Sequence, residues 1–399
     1  MLSWTLLVGI DQAQAGLVKN PSFEDPVTST HVLAITDWGR SATTGVFNNS
    51  AGYGNYITNA DANQLAFINA DGHEIWQDLS INYQPGFVYR LTVGLAARSD
   101  TPTAPNATFD LRFAYRDPGA IILNRGPVAY SALSNSQLRD FSVWRTAAPG
   151  DPYIGKPVVI WLKANGNLGD PGDWTADNVR LDIFEAIPVP NFSFESPDLG
   201  GSNSGTGFGT GTWQTSGQSG HTGRFKNNAS FGSFMNNTDG DAVGDVQMAW
   251  MNIAAGTSIY QDLPAVYEVA RWYELIVGVG ARSGQTVGPN TTMAIELYYR
   301  DALGNAQTIA QTLIRHGDLS TTSLTDFSVK IPAVLGTDPW YGKQIGIRMR
   351  SVSVESGSGD WTLDNVRLLT GVPEPATEVL LALGLLGLGA GHWRRRLRK

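Results

Sequence analysis

Apolar and polar positions alternate with a period of two along much of the chain. Tyr89, Leu91, Val93, Leu95 and Ala97 alternate with Arg90, Thr92, Gly94, Ala96 and Arg98, the signature of a half-buried strand. The next run sets Phe109, Leu111, Phe113 and Tyr115 on one face and Asp110, Arg112 and Arg116 on the other. Tyr273, Leu275, Val277, Val279 and Ala281 repeat the first pattern later in the chain. Many such runs, separated by Gly, Pro and Asn turns, predict antiparallel β-sandwiches. One stretch breaks the pattern: Val379–Gly391 carries no polar side chain and is followed by His392, Trp393 and the basic run Arg394–Lys399. A helix over 376–393 would rise about 27 Å at about 1.5 Å per residue, enough to cross a bilayer core. The basic cluster places its C-terminal end in the cytoplasm.

The body of the chain is a duplication. Asn20-Pro-Ser-Phe-Glu24 returns as Asn191-Phe-Ser-Phe-Glu195, and Tyr115-Arg-Asp117 as Tyr299-Arg-Asp301. Asp173-Trp-Thr175 with Asp177-Asn-Val-Arg-Leu181 returns as Asp360-Trp-Thr362 with Asp364-Asn-Val-Arg-Leu368. The offset grows from 171 to between 184 and 187, so the insertions fall in loops, the Gly-rich stretch 200–211 among them. These boundaries predict sandwiches over 16–185 and 186–371, joined at Ala186-Ile-Pro-Val-Pro190, where proline holds the chain extended. The predicted class is all-β, with two tandem antiparallel sandwiches and a C-terminal transmembrane helix.

Composition narrows the chemistry. With no cysteine in 399 residues, disulfides, zinc-thiolate sites and thiol nucleophiles are excluded. The net charge is −8; five Lys/Arg against Glu374 and Glu378 make 373–399 worth +3, leaving −11 for the rest, a body that repels nucleic acid. The five histidines (31, 73, 221, 316 and 392) have no histidine counterparts in the other copy, and His-Glu-x-x-His and Gly-x-Ser-x-Gly are absent. The expectation is a protein that is not an enzyme. Ala13-Gln14-Ala15 fits a signal-cleavage site, so 1–15 is expected to be a signal peptide, short and without a basic start.

Two resemblances follow from these motifs. Pro373-Glu374-Pro375, the apolar stretch and the arginine-rich end resemble the PEP-CTERM sorting tail of Gram-negative bacteria, here 372–399. That resemblance implies export, a membrane intermediate, an exosortase-type processing enzyme acting near Pro-Glu-Pro, and a cell-surface or extracellular destination close to exopolysaccharide. The opening Asn-x-Ser-Phe-Glu, the middle Gln-Asp-Leu…Tyr-x-Leu-x-Val-x-x-x-Ala-Arg and the closing Asp-Trp-x-x-Asp-Asn-Val-Arg-Leu resemble CenC-type (family 4/9) carbohydrate-binding modules of the galactose-binding-like superfamily. This implies a jelly roll, glycan binding, and a structural Ca²⁺ held by Glu24 with Asp177 and by Glu195 with Asp364. The bland alternative for those carboxylates is pairing with nearby arginines or amides.

For glycan contact the residues themselves single out Trp161. Val158, Ile160 and Leu162 form one apolar set, which puts Trp161 on the opposite face, and its counterpart in the second copy is Arg348. It is either a sugar platform or packing for a neighbouring loop or domain. Trp76 and Tyr260 correspond, as do Arg98 and Arg282 beside Gly94 and Gly278, where small residues leave room for a glycan, a crossing loop or an internal Asp–Arg pair. Trp174 and Trp361 are expected to pack the edge of the closing strand. Exopolysaccharide binding is therefore the first expectation, and a structural or protein-interaction role in the extracellular matrix the second.

Overall fold

The protein is described by a computed structural model over residues 16–50, 56–70, 72–98, 103–104, 107–165, 172–200, 202–208, 212–227 and 247–371. Across these residues it is all-β and every strand pairing is antiparallel. The expected signal peptide and transmembrane helix lie outside the described residues, and within them no helix is long and apolar enough to cross a membrane.

Each copy is a jelly-roll sandwich with one strand order. In the first copy, one sheet runs Gly39–Arg40, Glu74–Asn82, Pro157–Asn165, Thr108–Arg116 and Ala120–Ala129. The second copy repeats it as Gln214–Ser216, Ser258–Val266, Gln344–Ser353, Thr292–Arg300 and Ala306–Arg315. The facing sheet of the first copy centres on the long strand Asp173–Ile187, paired with Gln64–Asn69 and Phe87–Ala97; that of the second centres on Asp360–Gly371, paired with Gln247–Asn252 and Trp272–Ala281. The inward sets predicted from alternation fill the two cores: Tyr89, Leu91, Val93, Phe109, Leu111 and Phe113 in one, Tyr273, Leu275, Val277 and Val279 in the other. Trp174 and Trp361 are not at an edge. Both are fully buried, Trp174 stacking 5.1 Å from Phe109 and Trp361 5.2 Å from His316.

The two copies share a continuous sheet. Strand Asp173–Ile187 runs into the segment expected to be a linker, and Glu185, Ala186 and Ile187 pair with Thr370, Leu369 and Leu368. Val88, Ile276 and Leu369, flanked by Trp144, Phe184 and Trp272, form an apolar cluster across the join. Arg271 adds an ion pair to Glu185 at 2.7 Å.

Candidate functional site

The outer face of the five-stranded sheet in the first copy carries a cross-strand row. Gly39, Trp76, Trp161, Arg112 and Arg125 stand opposite one another in register. Trp76 lies over the bare backbone of Gly39, where a Cβ would come within 2.3 Å of the indole. The Trp76 and Trp161 rings are 5.3 Å apart and tilted by 34°. Both residues are half-buried, and the Trp161 N–H is buried without an acceptor, so the surface that indole offers is carbon. Around the pair stand charged groups that are already matched: Lys163 with Glu74 at 3.2 Å, Arg116 with Asp78 at 2.6 Å, and Arg112 with Asp110. Asp110 and Arg112, read as outward, do face away from the core, yet both are buried; Arg112 also donates to Asn165 Oδ1.

The corresponding face of the second copy is built differently. Arg348 takes the place of Trp161, and Glu296 that of Arg112. Glu296 is fully buried, one oxygen accepting from Arg348 Nε and the other from Arg350 Nη2 at 2.7 Å. Tyr260 stands in register with Arg348 and lies 5.7 Å below the Arg300 guanidinium, which pairs with Asp262. A carbon platform in the first copy is thus an ion network in the second. Arg98 and Arg282 are placed elsewhere, at the end of the facing sheets. Arg98 lies 4.8 Å over Phe47 and 3.4 Å from Asp173; Arg282 lies 5.9 Å over Phe225 and 3.8 Å from Asp360. A pocket of about 370 Å³ adjoins Arg98.

The opening and closing motifs of each copy meet at one end of the sandwich. Asn20 and Phe23 adopt left-handed backbone, as do Asn191 and Phe194, and the turn is held by Trp38 Nε1 donating to the Lys19 and Asn20 carbonyls, or Trp213 Nε1 to that of Asn191. A bulge at Asp177–Asn178, with Asn178 also left-handed, lets Val179 N–H reach the Pro21 carbonyl. Asp177 is completely buried there, accepting from the amides of Asp61 and Asn178 at 2.7 Å each. Glu24 accepts from the amides of Asn63 and Gln64 at 2.8 and 2.6 Å. In the second copy Glu195 accepts from Gln247 N–H at 2.9 Å and Asp364 from Asn365 N–H at 2.8 Å. Burial pushes the Asp177 carboxyl up to about 8, against the lowering effect of its amide bonds, and the charges of Asp61 and Glu24 add to the rise. Among the described residues no three carboxylates or histidines converge tightly enough to hold an ion by side chains alone. Asp61, which the sequence did not single out, joins this cluster through a loop contact that no periodicity reports.

A profile described as "HpiC1-like: HpiC1 cyclase" matches residues 15–182 and again 185–369. The PEP-CTERM protein-sorting motif matches 371–396, a span that includes Pro373, Glu374 and Pro375, all outside the described residues. No curated protein matches the chain significantly. Among solved structures, a cyclase from Fischerella sp. TAU is 20% identical, covering 47% of this chain and 98% of its own, with a TM-score of 0.37. The tandem CBM22-1–CBM22-2 domain of Paenibacillus barcinonensis Xyn10C is 10% identical, covering 87% and 95%, with a TM-score of 0.29. A structure titled for CBM4 structure and function is 15% identical, covering 37% and 94%, at 0.24. The profile that matches both copies is thus not the CenC-type one that their motifs resemble. With two successive matches spanning most of its length, the chain belongs to the HpiC1-like family and ends in a PEP-CTERM sorting motif.

Proposed function

We propose that this is an exported, envelope-sorted protein that binds extracellular polysaccharide through its first sandwich and does not catalyse a reaction. The observation that carries the reading is the Trp76–Trp161 pair: two tilted indoles on an outer sheet face, with charged groups alongside to hydrogen-bond hydroxyls. Stacked carbon surface beside fixed polar groups is what sugar rings require. The sorting tail supplies the setting: a membrane intermediate with a cytoplasmic C-terminus, processing by an exosortase-type enzyme near Glu374, and release to the cell surface or matrix.

Ring-forming catalysis is the second reading, raised by the name of the family. What favours binding is that the carboxylates bordering the tryptophan pair, Glu74, Asp78 and Asp110, each carry a cation, and Glu296 on the other copy carries two. A proton donor facing substrate would need a carboxyl free of such partners.

Structural calcium is part of the proposal. Glu24 and Asp177, and likewise Glu195 and Asp364, fit a hard cation: they are oxygen donors from distant chain ends, Asp177 is buried, and it accepts from the amides of Asp61 and Asn178. Backbone carbonyls and water would complete the six to eight oxygens that calcium takes.

Affinity electrophoresis of the full chain, in gels containing different extracellular polysaccharides, tests the binding reading. At least one polysaccharide is expected to retard it, and Trp161→Ala is expected to weaken that retardation by about 10-fold or more, as loss of a central aromatic anchor does. Equal mobility in every gel would leave the matrix-spacer role as the better account.

A further inference from the structure

The duplication places one ion pair in two environments. Asp140-Phe-Ser-Val143 returns as Asp326-Phe-Ser-Val329, and Arg180 returns as Arg367. In the first copy Arg180 meets Asp140 at 2.7 Å in the open, with 37% of the arginine side chain exposed. In the second, Arg367 meets Asp326 with only 1% exposed, because Trp144 of the first copy covers it, the guanidinium 4.6 Å from the ring centroid. Trp144 also meets Arg90, whose guanidinium is 5.1 Å from the ring centroid and paired with Asp182. Docking of the two sandwiches has therefore buried a cation that its twin leaves in water.

That cation is incompletely satisfied. Nη2 of Arg367 donates to Asp326, whereas Nε and Nη1 are buried with no acceptor. Guanidinium donors bonded to water in the unfolded chain are costly to strand in this way. Beside Arg367 the join opens into a cleft of about 570 Å³, bordered by Arg90, Asp140, Trp144, Asp326 and, on its rim, Arg125. Arg125 is exposed and has no anionic partner among the described residues, so the cleft holds an excess positive charge even though the chain as a whole is acidic.

We propose that this cleft between the copies is a second binding site, for a sugar acid unit of an acidic polysaccharide. Nε and Nη1 do not share an edge of the guanidinium plane, so one carboxylate cannot satisfy both. Once the cover over Arg367 shifts, a ligand carrying hydroxyl and ring oxygens can accept from them separately, while its carboxylate pairs with Arg125. The volume suits one or two pyranose rings. The site stands on residues of both copies; Arg125 also ends the Trp76–Trp161 row, so Arg367 and Trp144, at the join, are what set the cleft apart from that face.

Calorimetric titration of the full chain with digalacturonate, with its dimethyl ester and with acetate tests the site. Digalacturonate is expected to bind, its ester and acetate about 10-fold or more weakly. Arg125→Ala should weaken digalacturonate by a similar factor and Arg367→Met should abolish binding. Lys156→Met, which removes an exposed, paired cation that does not line the cleft, should leave it unaltered. Should Arg367→Met fail to fold, Arg125→Ala and the ester still decide, since neither touches the core. Equal affinity for acid and ester, acetate binding as tightly as digalacturonate, no heat with any of them, or undiminished binding by Arg125→Ala would overturn the proposal.

Discussion

Chelation is expected to lower the melting midpoint of the protein, and the gap between its calcium and chelator curves is expected to widen as pH rises from about 4 to about 8. The sign comes from Asp177. Its folded carboxyl is pushed up to about 8, chiefly by burial, from an ordinary value near 3.8. Between those values the metal-free folded state binds a proton that the unfolded chain has released. Stability without the ion is therefore greatest below about pH 4, falls through the window and levels off above about pH 8. A bound cation reverses the preference by holding the carboxylate ionised, and adds stability that grows with its concentration over its dissociation constant. Differential scanning calorimetry in calcium and in chelator, at pH 5, 6.5 and 8, reads the effect. Superimposable curves at all three values would remove calcium from both copies. Taking the difference between the two curves cancels the contribution of surface acids such as Asp301 and Glu355, whose carboxyls are held below their usual range by hydrogen bonds.

The strands and their inward faces were legible because burial on one side imposes a period of two, and the residues so assigned do fill the cores. The outward faces were less so. Asp110 and Arg112 read as solvent-facing, but satisfying each other and Asn165 lets them be buried. Trp161 stands out in the sequence and Trp76 matches Tyr260; their contact depends on the register of two strands about 85 residues apart, which alternation does not encode. The linker reading of Ala186 and Ile187 was incomplete for a related reason. Proline limits the chain to extended forms, and an extended segment can join a sheet wherever an edge is offered, here by Leu368 and Leu369. The Arg367–Trp144 contact carried a faint signal in the repeated Asp-Phe-Ser-Val and Arg. Only docking of the copies distinguishes that pair from its exposed twin.

Glu296→Ala is expected to destabilise the second sandwich by about 3–5 kcal/mol, the range for removing one partner of a buried charge group. Glu296 is fully buried and binds two guanidiniums, so its loss leaves Arg348 and Arg350 as uncompensated, largely covered charges. By contrast, Asp78→Ala in the first copy breaks a pair that is well exposed on both sides and should cost no more than about 1 kcal/mol. The triple replacement Glu296→Leu, Arg348→Met and Arg350→Met should recover most of the loss, because an apolar set of similar volume avoids desolvating three ions. Urea unfolding of each variant, followed through the transition of the second sandwich, separates these outcomes. A triple variant no better than Glu296→Ala would mean that the network contributes more than charge balance to that sheet. The comparison also bears on the tryptophan face: Arg348→Trp alone should not create a second platform, since it strands Glu296 with a single partner. Both ends of the Arg348–Glu296 pair must change before the second copy can present carbon where the first presents Trp161.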